Sequence, residues 1–115
     1  MPDLQRRPSR AMEKSVTRLS PDAVPHICIC ICTFQRPQFL GRLLENLHEQ
    51  DTGGLFFYSI VVVDNDGSRS AEPVVSRFTA RSTIDIRYCV EPRQNIARAR
   101  NMAVNNAQGD LIAFL

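Results

Sequence analysis

Past its first 25 residues the sequence carries no excess of either charge. The net +2 of the whole chain comes from Arg6, Arg7, Arg10, Lys14 and Arg18 set against Asp3, Glu13 and Asp22. A nucleic-acid-binding face needs a surplus of Lys and Arg on the folded part, so a nucleic acid polymer is excluded as a partner. Long apolar runs are missing too. The longest, Leu55 to Val63, is about half of what a membrane-spanning helix requires. The stretch Met1 to Pro25 lacks the apolar core of a secretory signal. The expected location is therefore cytoplasmic. Glycine is scarce, five in 115 residues, and none falls between the first apolar run and the helix pattern after it. That excludes a G-x-G-x-x-G turn or a P-loop at that point, and with them dinucleotide enzymes and P-loop NTPases. No C-x2-C loop is present to wrap a zinc ion. Cys28, Cys30 and Cys32 instead alternate along one run, which puts them on one face of a strand. With Cys89 they read as reduced thiols acting as small apolar residues.

What is present is the composition of one ordinary globular domain, 43% hydrophobic and 23% charged. Residues 1–25 mix Arg, Ser and Pro with both charges, the pattern of a disordered tail. Contact with acidic lipid headgroups is the other reading of that stretch. From residue 26 onward, short β-branched runs alternate with segments of helical period, which argues for a parallel sheet covered by helices.

The run Ile27 to Cys32 is apolar on both faces, as a central parallel strand must be. After the loop Thr33–Arg36, Pro37 opens a helix whose stripe is Phe39, Leu40, Leu43, Leu44 and Leu47. Gly53-Gly54 marks a turn. A second strand, Phe57 to Val63, ends in Asp64-Asn65-Asp66-Gly67-Ser68, and Ser70 is the expected N-cap of a helix through Arg81. A third strand, Ile84 to Val90, leads to a loop ending at Asn95, the expected cap of a third helix. Ile96, Ala99, Ala103 and Ala107 form the seam of that helix, and Gly109 closes it. Leu111 to Leu115 begins a fourth strand with no turn after it, so the sequence is expected to be a fragment or a truncation of a longer domain.

In open α/β sheets, ligands bind beyond the carboxyl ends of the strands, so the loops after Cys32, Val63 and Val90 are the informative ones. The acidic loop places acceptors where a ribose hydroxyl or a base N–H could be read, although a solvated turn uses the same residues. It does not match a calcium loop. Its glycine is fourth from Asp64 instead of sixth, and Val75 stands where a glutamate is needed. The third loop and its helix gather Arg93, Arg98 and Arg100, whose guanidinium groups suit phosphate oxygens; a solvated basic face is the alternative. Arg98 and Arg100 are about 200° apart on a helix, so at most one faces a common cleft.

Four blocks then carry a resemblance: Ile-Cys-Thr-Phe-Gln-Arg-Pro (31–37), Ile-Val-Val-Val-Asp-Asn-Asp-Gly-Ser (60–68), Asn-Ile-Ala-Arg-Ala-Arg-Asn (95–101) and Gly-Asp-Leu-Ile-Ala-Phe-Leu (109–115). In this order the chain resembles family 2 glycosyltransferases, most of all bacterial exopolysaccharide enzymes of the succinoglycan type. The resemblance implies a GT-A fold, a Rossmann-like parallel sheet with flanking helices, here truncated after the fourth strand. It makes residues 26–115 the nucleotide-sugar-binding half of an incomplete domain. It places Thr33, Phe34, Arg36, Asp64, Asn65, Asp66, Arg93 and Arg100 at the nucleotide-sugar site, with Asn65 where many relatives carry a second Asp and Asn101 as a loop brace. The implied partners are a nucleotide-diphospho-sugar, a UDP-sugar foremost, and a saccharide or lipid-linked acceptor, with peripheral membrane association open to the intact protein. The implied cofactor is Mg or Mn, held in the intact enzyme by an Asp-x-Asp motif that would begin after Leu115. No metal is expected on this fragment, and neither catalytic base nor activity. The rival expectations are a non-catalytic α/β module that binds a nucleotide or a protein, and a remnant that binds nothing.

Overall fold

A computed structural model of the chain describes residues 24–115, so all but the last two residues of the expected tail lie outside the described region. Within it the chain alternates strictly: β1 (His26–Thr33), α1 (Pro37–His48), β2 (Phe57–Asp64), α2 (Glu72–Arg81), β3 (Ile86–Val90), α3 (Ile96–Asn106) and β4 (Leu111–Phe114). The strands form one sheet in the order β3-β2-β1-β4, and every neighbouring pair is parallel. The two most apolar runs, β1 and β2, occupy the middle, because only central strands need burial on both faces.

Strand alternation sorts the core into two layers. Ile31, Ile60 and Val62 pack with Leu40 and Leu44 of α1 and with Val74, Val75 and Phe78 of α2. On the other face Cys28, Cys30, Val61 and Val63 pack against Ala99, Ala103 and Ala107. All four cysteines are free thiols, with Cys28 and Cys30 buried. The small alanine side chains let α3 approach closely enough that the Cys30 thiol donates to the Ala103 carbonyl at 3.9 Å.

Several local expectations need correction. Ser70 does not cap α2. The cap position is Ala71, in helical backbone with no side-chain cap, and its N–H donates to Asp64 Oδ2 at 2.9 Å. A carboxylate seven residues upstream does the work expected of the neighbouring serine. The third strand begins at Ile86 rather than Ile84, because the Ile84 N–H turns away to Ser82 Oγ at 3.0 Å. Ile96 is 62% exposed and does not join the alanine seam, since the first turn of α3 stands clear of the sheet. Gly109 does not close α3, which ends at Asn106 with Ala107 extended. Gly109 has φ +133°, and a Cβ there would lie 2.8 Å from the His26 carbonyl oxygen, so glycine lets the chain pass close over the start of β1. Asn95 does cap α3, accepting the Arg98 N–H at 3.0 Å. No described helix is long and apolar enough to cross a membrane.

Candidate functional site at the carboxyl rim of the sheet

Parallel strands with helical returns place every strand end on one rim. Register brings three of those ends side by side: Thr33 pairs with Asp64, and Asp64 with Val90. The rim is tied laterally by the Asn65 N–H to the Thr33 carbonyl at 2.8 Å and the Glu91 N–H to the Asp64 carbonyl at 2.9 Å.

Asp64 is fully buried. Its Oδ2 accepts from the Ala71 N–H at 2.9 Å and from the Tyr88 hydroxyl at 2.7 Å. Its Oδ1 is buried without a partner. Burial, and then the bond to Asp64, push the Tyr88 phenol above its ordinary range, so Tyr88 stays protonated and remains a donor to this carboxylate. Asp66 folds back on its own loop, its Oδ1 accepting the Ser68 N–H at 3.0 Å and the Ser68 hydroxyl at 2.8 Å. Its Oδ2 and the Ser70 hydroxyl are again buried and unpartnered. The Asp66 carboxyl is held below its usual value, first by the Ser70 hydroxyl and then by the Ser68 N–H and hydroxyl. Because the Ser70 hydroxyl falls short of hydrogen-bond geometry, the Ser68 contacts are the firmer cause.

Asn65 sits between two acids yet faces elsewhere. Side chains alternate along a strand end, so Asp64 turns toward α2 while Asn65 turns toward the loop between β3 and α3. There its Nδ2 donates to the Glu91 and Arg93 carbonyls at 2.8 and 2.6 Å, and its Oδ1 accepts the Asn95 N–H at 3.1 Å. The loop brace is thus Asn65. Asn101 is exposed on α3.

The remaining expected residues spread along the rim. Thr33 is buried at the end of β1, and Phe34 is 39% exposed in the loop beyond it. Gln35 takes a left-handed φ of 52°, and exposed Arg36 leads into α1, its carbonyl accepting the Leu40 N–H at 3.0 Å. The Arg93 side chain is exposed, while its N–H is fixed to Glu91 Oε2 at 3.1 Å. Arg100 stands on the opposite face from Asp64, its guanidinium 4.3 Å over the ring of Phe114 at the end of β4. Thr33, Asp64, Asn65 and Asp66 are therefore brought together, Arg93 is joined to them through its loop backbone, and Arg100 lies across the sheet.

Two residues of this site were missed by the sequence reading. Tyr88 orients Asp64, and its signal was a polar-tipped aromatic at an inward strand position, which needs a partner when buried. Arg69, at φ 62°, pairs with Glu72 at 2.9 Å and lies 5.3 Å over the Tyr88 ring. Among the described residues no group of three His, Cys, Asp or Glu is arranged to hold a metal ion, and one Asp64 oxygen is already taken, so these residues do not fit a divalent cation. An open groove of about 400 Å³ lies beside the rim along the flank between α2 and β3, lined by Val75, Thr79, Ile86 and Tyr88. It borders the sheet edge and not the strand ends.

The pattern of glycosyl transferase family 2 matches residues 28–115. The succinoglycan biosynthesis protein ExoM of Rhizobium meliloti is 35% identical over 95 residues, covering 83% of this chain and 30% of that protein. A glycosyltransferase of Methanocaldococcus jannaschii is 28% identical over 94 residues, covering 79% of this chain and 31% of its own length. Among solved structures, a mannosyltransferase from Pyrobaculum calidifontis, in complex with GDP-mannose and Mn2+, superposes with a TM-score of 0.67 at 23% identity. It covers 80% of this chain and 27% of its own. That likeness establishes the GT-A sheet. The chain spans about three-tenths of the length of its curated relatives. On the family match and the sheet together, this chain belongs to glycosyl transferase family 2.

Proposed function

We propose that residues 26–115 grip the nucleotide of a sugar-nucleotide donor. The intact protein then transfers the sugar, with inversion, to a hydroxyl of a saccharide or lipid-linked acceptor in polysaccharide synthesis. The observation that carries this reading is the pair of buried, unpartnered oxygens, Asp64 Oδ1 at the end of β2 and Asp66 Oδ2 in the loop after it, at the carboxyl rim of the sheet. A native fold seldom leaves such acceptors unused, and ligand donors are a physical reason to keep them. Asp64 Oδ1 accepts from a base N–H or a ribose hydroxyl. Phe34 offers a ring face to the base, and Arg36 and Arg93 offer guanidinium donors to the diphosphate.

In the transfer itself, the acceptor oxygen bonds to the anomeric carbon as the bond to the diphosphate oxygen breaks, and the acceptor proton goes to a carboxylate outside the described residues. A divalent cation, Mg or Mn, on carboxylates also outside them would offset charge on the departing diphosphate. Residues 24–115 alone therefore bind without turnover.

A UDP-sugar is the first donor to test. GDP-mannose is the second, because the structurally similar mannosyltransferase carries it. Titration of the chain with UDP and GDP should raise its melting temperature, by the equivalent of about 2.7 kcal/mol at a hundredfold excess over Kd. No shift with either nucleotide, in the chain or in the intact protein, sinks the reading.

A further inference from the structure

Asn65 makes three side-chain hydrogen bonds, and all three end on the backbone of one loop: the Glu91 carbonyl, the Arg93 carbonyl and the Asn95 N–H. Its own N–H is held by Thr33 at the end of β1. Asn65 is 7% exposed, both of its amide protons are committed to the loop, and its Oδ1 already accepts the Asn95 N–H. It has no donor left for a ligand acceptor. The loop it grips carries Arg93 and ends at Asn95, whose side chain caps α3. The carboxylates next to Asn65, by contrast, each hold an oxygen with no partner.

We propose that Asn65 is a positioning residue that sets the β3–α3 loop, and Arg93 with it, at a fixed distance from Asp64, so that the nucleoside-facing and diphosphate-facing parts of the site move as one body. This rests on the nucleotide-binding reading above. The chemistry gives the idea a sign. An aspartate here would turn a carboxylate toward two carbonyl oxygens now 2.8 and 2.6 Å from the amide nitrogen that donates to them. A base-reading position would gain from that carboxylate. A brace loses, because oxygen faces oxygen and the loop must withdraw.

The experiment compares Asn65→Asp and Asn65→Ala with the unsubstituted chain by amide hydrogen exchange and by calorimetric titration with UDP, GDP and inorganic pyrophosphate. Asn65→Ala removes the amide without adding charge and keeps the comparison open if Asn65→Asp does not fold. Exchange at Asn95 should accelerate about tenfold or more in both variants, while exchange in the core of β1 and β2 stays unchanged. Affinity for pyrophosphate and for the nucleoside diphosphates should fall together by about tenfold. Unchanged protection at Asn95 in Asn65→Ala overturns the brace. Tighter nucleotide binding by Asn65→Asp also overturns it and makes position 65 a reader. Failure of the unsubstituted chain to bind any of the three ligands overturns the functional reading instead, and the exchange result still decides the brace.

Discussion

The two ends of this sheet are built to opposite rules. At the foot, where the strands begin, polar groups close on one another. The His26 N–H donates to Asp110 Oδ2 at 2.8 Å, the Asp110 N–H returns to the His26 carbonyl at 2.7 Å, and His26 Nε2 meets Ser59 Oγ at 2.7 Å. The His26 ring stacks on Phe57 at 4.6 Å. At the rim, the buried side-chain atoms without a partner among the described residues are Asp64 Oδ1, Asp66 Oδ2 and Ser70 Oγ, at the end of β2 and in the loop that follows it. The left-handed non-glycine residues, Gln35 and Arg69, also sit in rim loops. A closed network stabilises, while unused acceptors and backbone strain persist where something else supplies the compensation. The foot closes the sheet, while the rim leaves acceptors unused, which is the ground of the nucleotide-binding proposal.

The harshest way to break that comparison is at Gly109. A Cβ there would meet the His26 carbonyl at 2.8 Å and its ring atoms at 3.2 Å, on a backbone with φ +133°. Gly109→Ala should cost about 3 kcal/mol, lowering the melting temperature by roughly 10 °C or more. The nucleotide affinity of the molecules still folded should not change. A variant as stable as the parent would mean that the foot does not carry the stability assigned to it.

Asp64→Asn tests the other end with the opposite signature. The amide can keep its oxygen on Ala71 and Tyr88 and put its NH2 where the unpartnered Oδ1 stands. Weaker hydrogen bonds from a neutral acceptor are offset by removal of a buried charge, so stability should move by no more than about 1 kcal/mol. Nucleoside diphosphate affinity should fall tenfold or more, which calorimetric titration measures. A collapse in stability with affinity intact would reverse the roles of the two ends.

The parts of this design that were legible in the sequence are those with a local signature. A two-sided apolar run gave β1, the leucine stripe gave α1, and Asn95 announced its own cap. What was not legible depends on groups distant in sequence. Ser70 looked like a cap because it lies at the right offset, but Asp64 reaches the Ala71 N–H from a strand end. Tyr88 acquires its role only once register sets β3 beside β2 with Val62 opposite it. The split between Asp64 and Asn65 could have been drawn from strand alternation, but the resemblance grouped them as a reading pair and concealed that they face opposite ways. Gly109 looked like a helix terminator, and its purpose is visible only when β4 lies against β1.

The smallest effect sharpens the rim itself, at Asp66. Its carboxyl titrates below the ordinary 3.8 in the folded chain, held down by the nearby Ser70 hydroxyl and, at hydrogen-bond geometry, by the Ser68 N–H and hydroxyl. Since the folded value is the lower one, the carboxylate contributes stability that is complete above the unfolded value and is lost as pH falls through the folded value. Asp66→Asn keeps an oxygen for the Ser68 N–H and removes only the charge. The variant should therefore unfold at slightly lower urea than the parent at about pH 6, and the two midpoints should converge at a pH below the folded value, itself lower than 3.8, where the parent carboxyl is also neutral. Midpoints separated equally at both pH values would show that the charge of Asp66 does nothing for the loop. Its unpartnered Oδ2 would then be the only ground left for retaining an acid there.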